Sequence, residues 1–254
     1  MDVACLSMPS RQRSRHIAHA MAEGVRRAGD RLVPVTGVAD ACVGYGWKFV
    51  PMMKRHKAFA YADLGYWGRD TYYRFSVNGW SPERYVRQGL PRDRFDRLDL
   101  TIKPWRTGGK EIIVAGSTAK ACADHGFSYQ EWEAKTIASL KGCGRPVVYR
   151  PKPKDLNATS LGVPMDRRPI SEALDSAYAV VTHHSNTAVD ALLAGIPVHC
   201  VTGAAAAFSV PLEEIHEAPL LEGREQFLWD VAWLQWTLDE MRSGEAWTHI
   251  RQYL

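Results

Sequence analysis

The stretch YAVVTHHSNTAVDALLAGIPVHCV, residues 178–201, decides the fold of this chain. Residues 178–182 form a short, β-branched apolar run, which is typical of a strand buried on both faces of a sheet. Residues 188–194 place apolar side chains at helical spacing, and the sequence Gly195-Ile196-Pro197 then ends the helix. A second apolar run, residues 196–201, follows at once. The stretch therefore predicts a strand, a polar turn, a helix and a second, parallel strand.

The polar turn of this unit lies where ligands bind in open parallel sheets, at the carboxyl end of the first strand. Ser185, Asn186 and Thr187 can cap the helix and still leave backbone N–H groups that suit a phosphate. Helix capping alone is the alternative explanation, but it would use only one side chain. His183 and His184 are not needed for capping. Because these histidines are neighbours, we expect one to reach a ligand and the other to be structural.

Two more predicted strand ends offer polar groups. Arg150 and Lys152 follow a short apolar run, and an extended backbone directs alternate side chains to one face. We expect a diphosphate clamp there, with a solvated charged loop as the alternative. Gly116 and Ser117 follow an earlier apolar run, where glycine would permit close approach of the backbone to a ligand.

The composition is that of an ordinary globular protein: 254 residues, 46% of them hydrophobic and 24% charged, with a net charge of +4. This mild basicity permits an anionic ligand or a nucleic acid without requiring either. Five scattered cysteines without CxxC spacing indicate reduced, buried thiols rather than disulfides or a zinc site. The sequence shows no signal-peptide pattern and no apolar segment of membrane-spanning length, so we expect a cytoplasmic protein.

The chain divides into two α/β segments and a helical tail. Residues 1–106 carry short strand candidates and an amphipathic helix at residues 11–28, but their periodicity is lost from residue 71 onward. Residues 107–223 begin with the hinge sequence TGGK and contain the unit described above. Residues 224–254 carry an apolar stripe at helical spacing and four tryptophans. We expect this tail to cross back and bury that stripe on the first domain.

Residues 180–197 (VVTHHSNTAVDALLAGIP) resemble the donor-binding segment of bacterial capsule-type and sialyltransferase-like glycosyltransferases of the GT-B fold. The resemblance implies that Ser185, Asn186 and Thr187 bind the phosphate of a nucleotide. It also implies that Asp190, where the family commonly has Glu, holds the ribose. The implied fold class is α/β, with two Rossmann-like domains and C-terminal helices that pack back on the first.

The function implied by this resemblance is transfer of a sugar from a nucleotide-sugar donor, expected to be UDP-linked, to an acceptor hydroxyl. The acceptor could be a hydroxymethylated pyrimidine in phage DNA, a polysaccharide or a lipid-linked sugar. No DxD-like pair lies beside the turn, so we expect no metal and no cofactor, with helix dipole and basic side chains balancing the phosphate charge. Two alternatives remain: a nonhydrolysing UDP-sugar epimerase, and a non-enzymatic nucleotide- or DNA-binding protein.

Sugar transfer to a hydroxyl needs a base on the acceptor side, and the first domain offers two acidic candidates. Asp63 follows the apolar run at residues 58–62, and Asp70 lies in the loop that begins there. A turn-forming role is the alternative for either aspartate. Residues 66–87 interleave aromatic side chains with arginines, which suits stacking on sugars or bases but also an ordinary domain interface.

Overall fold

The computed structural model describes residues 1–79 and 89–254. It divides the chain into one unit of residues 1–98 and 229–254 and a second unit of residues 99–228. From the sequence we expected these boundaries at residues 106/107 and 223/224. The aromatic and arginine candidates Trp80, Arg84, Tyr85 and Arg87 lie outside the described residues.

Ten strands and ten α-helices make up the described chain, together with short 3₁₀ segments. The strands are β1 (Asp2–Leu6), β2 (Arg31–Leu32), β3 (Ala41–Tyr45), β4 (Ala58–Leu64), β5 (Tyr72–Val77), β6 (Glu111–Ala115), β7 (Val147–Arg150), β8 (Ala177–Thr182), β9 (Val198–Cys200) and β10 (Gln235–Thr237). The helices are α1 (Gln12–Arg27), α2 (Val50–Met53), α3 (Asp93–Asp96), α4 (Ala119–Asp124), α5 (Glu131–Ser139), α6 (Ile170–Ser176), α7 (Thr187–Leu193), α8 (Arg224–Ala232), α9 (Leu238–Ser243) and α10 (Glu245–Ile250).

The first unit is built on a six-stranded sheet of order β10-β5-β4-β3-β1-β2. Strands β1 to β4 pair in parallel, whereas β5 and β10 are antiparallel additions at one edge. The parallel strands β3 and β4 are almost wholly buried, as their continuous apolar sequences require. The sheet is therefore Rossmann-like in its parallel part and mixed at its edge.

Two elements of this sheet differ from the sequence prediction. Residues 72–77 were expected to be irregular, but they form β5 and pair with β4. Residues 235–237 were expected to be helical, but they form β10 and pair with β5. Trp236 is fully buried, and the Gln235 side chain accepts backbone hydrogen bonds from Tyr66 and Trp67. Pairing at the sheet edge thus overrides the helical spacing of the tail.

The end of the chain packs against α1 within the first unit. Ile17, Met21 and Val25 are buried along α1, as their spacing predicts. At Gly24 a Cβ atom would lie 1.9 Å from the carbonyl oxygen of Met241 in α9, so only glycine allows this approach. Helix α9 therefore packs closely against α1.

The second unit holds a four-stranded sheet of order β7-β6-β8-β9, in which every pair is parallel. The predicted strand, turn, helix and strand of residues 178–201 are confirmed as β8, α7 and β9. Gly195 ends the helix at a φ of +79°, a conformation that favours glycine. Because all four strands are parallel, their carboxyl ends meet at one edge of the sheet.

The structure also shows the state of the cysteines and the lengths of the apolar helices. The five cysteines, all within the described residues, form no disulfide, and Cys42, Cys122 and Cys200 are buried. Burial raises the pKa of the Cys5 and Cys42 thiols to about 12. In residues 1–79 and 89–254, no helix combines the length and apolar character needed to cross a bilayer.

Candidate functional site

The turn after β8 meets the loop after β7 at the carboxyl edge of the second sheet. Lys152 donates a hydrogen bond from Nζ to Oγ of Ser185 over 2.7 Å. Oγ of Ser185 in turn donates to Oγ1 of Thr187 over 3.0 Å. Since β7 and β8 flank β6, this contact joins two segments 33 residues apart in sequence. The structure thus places one ammonium group and two hydroxyls of the predicted site in one chain of contacts.

The turn itself is anchored to the neighbouring strand. Thr182 donates from Oγ1 to the carbonyl oxygen of Ala115 at the end of β6, and it accepts from the amide of Ser185 over 3.2 Å. Ser185 is 6% exposed, and Thr182 is fully buried. A buried hydroxyl that both donates and accepts holds the backbone of the turn in one position.

Helix α7 does not begin in the way that the sequence predicted. Its N-cap, Asn186, has helical dihedral angles and makes no side-chain capping bond. The amide of Thr187 donates instead to Oγ of Ser185 over 3.3 Å. The helix is only seven residues long, so its dipole is a minor source of positive potential. The basic side chain at this edge is the stronger attraction for an anion.

Arg150 and Lys152, the predicted clamp, have different partners. Arg150 is 6% exposed and donates from Nη1 to the carbonyl oxygen of Arg168 over 2.6 Å. The same guanidinium nitrogen lies 4.0 Å from a carboxylate oxygen of Asp166. Burial is the main reason that the pKa of Arg150 is lowered, and Asp166 acts in the opposite direction. The contacts of Arg150 brace the loop after β7, while Lys152 contacts the turn.

Gly116 and Ser117 have structural partners at the end of β6. A Cβ atom on Gly116 would lie 2.6 Å from the hydroxyl oxygen of Tyr149, so the close approach that glycine permits is to this ring. The amide of Ser117 donates to Oε1 of Glu133 over 2.7 Å. Glu133 is fully buried, and its Oε2 atom has no hydrogen-bond partner among the described residues. The fixed carboxylate was not foreseen from the sequence.

Histidines from two elements meet beside the turn. Nδ1 of His183 lies 3.1 Å from Nδ1 of His184, so the two neighbouring rings approach each other. Strand alternation does not apply to them because β8 ends at Thr182. His125, the residue after α4, stacks on His184 with ring centroids 4.5 Å apart.

The innermost of these rings is enclosed by aromatic side chains. His183 is 8% exposed, and the rings of Phe127 and Trp132 contact it edge-on with centroids 5.0 and 5.5 Å away. Burial, with a smaller effect of His125, lowers the pKa of His183 to about 4. The imidazole of His183 is therefore neutral at physiological pH.

Asp190 lies away from the turn contacts. It lines a cavity of about 410 Å³ within the second unit, together with Lys103, Arg106 and residues of α6. None of the residues 183–187 lines this cavity. The structure therefore places the predicted ribose contact beside a separate cavity that is lined by both basic and acidic side chains.

In the first unit, Asp63 lies near the carboxyl end of β4 and holds three hydrogen bonds. It accepts from the Tyr61 hydroxyl over 3.0 Å, from the Leu64 amide over 2.8 Å and from Arg74 over 3.5 Å. Its side chain is still 38% exposed. Asp63 also contributes to raising the pKa of Tyr45, after the larger effect of burial. A carboxylate that is oriented yet open to solvent can accept a proton.

Asp70, Tyr66 and Trp67 differ from Asp63 in exposure and in contacts. The carboxylate of Asp70 is fully exposed, and its oxygen lies 4.0 Å from the guanidinium of Arg13. Tyr66 and Trp67 are buried, and Trp67 packs edge-on against Phe95 within the same unit. Packing within the first unit thus accounts for the presence of Tyr66 and Trp67 in the described part of residues 66–87.

Two solved structures share the fold of this chain. The KpsC β-Kdo 2,4 transferase of Thermosulfurimonas dismutans is 13% identical, with a TM-score of 0.51 over 92% of this chain and 91% of that one. The KpsC β-Kdo 2,7 transferase of the same organism is 14% identical, with a TM-score of 0.52 over 99% of each chain. No protein-family model and no curated protein sequence matches the chain. The chain has the mixed α/β fold of these glycosyltransferases.

The residues that the sequence analysis missed are His125 and Glu133. Neither follows a strand directly, and neither stands in a motif with the turn residues. The available signal was topological: both follow β6, whose carboxyl end lies next to that of β8 in a parallel sheet.

Proposed function

We propose that this protein is a glycosyltransferase that moves a sugar from a nucleotide-sugar donor to an acceptor hydroxyl. The observation that carries the proposal is the contact between Lys152 and Ser185 at the carboxyl ends of a parallel sheet. Parallel sheets bind nucleotides at that edge, and an ammonium group beside hydroxyls suits phosphate oxygens. The likeness to two transferases supports the fold on which this proposal rests.

In this proposal the second unit binds the donor. Lys152 and the hydroxyls of Ser185 and Thr187 hold the donor phosphate. Asp190, which lines a separate cavity, is given no donor contact in this proposal. When the bond between the sugar and the phosphate breaks, negative charge develops on the leaving phosphate. The ammonium of Lys152 stabilises that charge, and it needs little reorganisation because Ser185 already holds it.

The acceptor-side base in this proposal is Asp63. The acceptor oxygen attacks the anomeric carbon, and its proton passes to the carboxylate. Tyr61 and Arg74 fix the orientation of that carboxylate, while its exposed oxygen surface leaves room for a hydroxyl. Asp70, which lies in the loop between β4 and β5, is not assigned this part because its carboxylate is fully exposed.

For the acceptor we propose a sugar hydroxyl. Both structural relatives are named as transferases of Kdo, which supports a glycan acceptor over a hydroxymethylated base in DNA. Several of the arginines and aromatic residues that suggested a nucleic acid lie outside the described residues, and Tyr66 and Trp67 are buried.

The test combines binding and turnover. The purified protein is incubated with sugars linked to nucleoside diphosphates or monophosphates, and thermal shift identifies the donor that stabilises it. That donor is then offered with glycan oligosaccharides or with hydroxymethylated DNA, and the products are weighed by mass spectrometry. A glycan product heavier by one sugar supports the proposal. Donor epimerisation, or no binding of any nucleotide sugar, would contradict it, and glycosylated DNA would overturn the acceptor.

A further inference from the structure

His125, His183 and His184 bring three imidazoles together beside the turn after β8. Their closest ring nitrogens all lie within 4.8 Å of one another. His125 comes from the residue after α4, and the other two follow β8, so the cluster joins two elements of the second unit. We propose that these three histidines form a binding site for a divalent transition-metal ion of the zinc class.

The spacing of the nitrogens supports this proposal. Two imidazole nitrogens that share one tetrahedral Zn²⁺ at about 2.0–2.1 Å are separated by about 3.3 Å. The two Nδ1 atoms of His183 and His184 are 3.1 Å apart, close to that value. All three nitrogens lie within 4.8 Å of one another, so the third imidazole, His125, must approach by at most about 1.5 Å to meet the same requirement. Its side chain can make this movement because His125 is exposed.

The surroundings favour a preformed site. His183 is held on two sides by Phe127 and Trp132, which leave it little rotational freedom. Its backbone is fixed as well, since its carbonyl oxygen accepts from the amide of Thr202 over 2.8 Å. A ligand that is already in place loses less entropy when the ion binds.

The donor chemistry selects the ion. Three imidazoles without a carboxylate suit Zn²⁺, Ni²⁺ or Cu²⁺, whereas Mg²⁺ and Ca²⁺ require oxygen ligands. Three protein nitrogens also leave at least one coordination position for water or an anionic oxygen. His184 directly precedes Ser185, so the ion would lie beside the turn that we propose for the donor phosphate. From the sequence we expected no metal, because no DxD-like pair lies beside the turn. His125 is 58 residues from His183, and no local spacing links it to the histidine pair.

The experiment measures metal binding without any sugar. The full chain is stripped with chelator and titrated with Zn²⁺ in a calorimeter, with Mg²⁺ as the comparison ion, and Co²⁺ is added separately to record its visible absorption. We expect one Zn²⁺ per chain, no response to Mg²⁺, and the intense bands of tetrahedral Co²⁺.

Variants then separate the site from adventitious binding. The His125→Ala change removes an exposed ligand, so the fold should survive, and it should weaken Zn²⁺ binding by at least the 10- to 100-fold that losing a supporting group costs. His184→Ala should do the same. His19→Ala is the matched control, since His19 is 74% exposed on α1 in the other unit. Circular dichroism checks that every variant is folded.

The proposal is overturned if the wild-type chain binds no Zn²⁺. It is equally overturned if the folded His125→Ala and His184→Ala proteins bind as tightly as His19→Ala. Because no nucleotide sugar is present, metal binding can succeed while glycosyl transfer fails, or the reverse. The two proposals are therefore tested separately.

Discussion

Replacing Lys152 with methionine tests the proposed phosphate contact most directly. The change keeps the aliphatic stem and removes the ammonium group that contacts Ser185 over 2.7 Å. A hydrogen bond to a charged group contributes about 1.5–3 kcal/mol. At 1.36 kcal/mol for each factor of ten, Lys152→Met should weaken nucleotide-sugar binding by roughly 10- to 160-fold.

Isothermal titration at fixed ionic strength measures this loss, because salt screens contacts with charged groups. Lys154→Met is the matched control: Lys154 is two residues further along the same loop and is exposed. Thermal melting of both variants shows whether the fold is preserved. The reasoning is refuted if Lys152→Met binds the donor within twofold of the wild type, or if Lys154→Met loses as much affinity.

Three further predictions concern the first unit. Asp63→Asn should lower transfer by about 10²–10⁴-fold while donor affinity is unchanged, because only the proposed base is lost; product formation and titration measure the two effects. Gly24→Ala should lower the free energy of unfolding by about 1–3 kcal/mol, as measured by urea titration, because the new Cβ would overlap the carbonyl of Met241. The higher helix propensity of alanine offsets only about 1 kcal/mol of this loss. Burial lowers the pKa of His249 from 6.5 to about 4, so the unfolded chain binds the proton first as pH falls. Stability should therefore decrease between pH 6.5 and 4, by up to about 3 kcal/mol from this group, and His249→Phe should reduce that loss.

Each of these predictions has an outcome that would contradict it. Near-normal turnover of Asp63→Asn would leave Asp63 as a structural residue of β4. Gly37→Ala introduces a Cβ that meets nothing within 4 Å, so equal destabilisation by both glycine changes would refute the packing argument. For His249, urea titrations across the pH range would contradict the assignment if wild type and variant lost stability in parallel.

The elements that could be predicted from the sequence are those that depend on residues close together in the chain. The β-branched run of β8, the apolar spacing of α1 and α7 and the glycine that ends α7 all act through neighbouring residues. Together with the rule that ligands bind at the carboxyl ends of parallel strands, they pointed to the turn at residues 183–187. Lys152 was found in the same way, because it follows a strand end.

Other features depended on contacts between residues far apart in the chain. The edge strand β10 forms because it pairs with β5, about 160 residues earlier, and its own spacing reads as helix. Arg150 and Lys152 share a predicted face, yet burial next to Asp166 gives Arg150 a different partner.

In the histidine cluster, part of the site is visible in the sequence and part depends on the tertiary structure. The pair His183-His184 is visible in the sequence, but nothing near it indicates His125. The sequence by itself determined which segments form strands, helices and a polar turn, since backbone dihedral preferences and hydrophobic periodicity act over a few residues. Only the tertiary structure decided which side chains meet, because burial of the apolar strand faces sets the order and register of the sheet and thereby brings distant strand ends together.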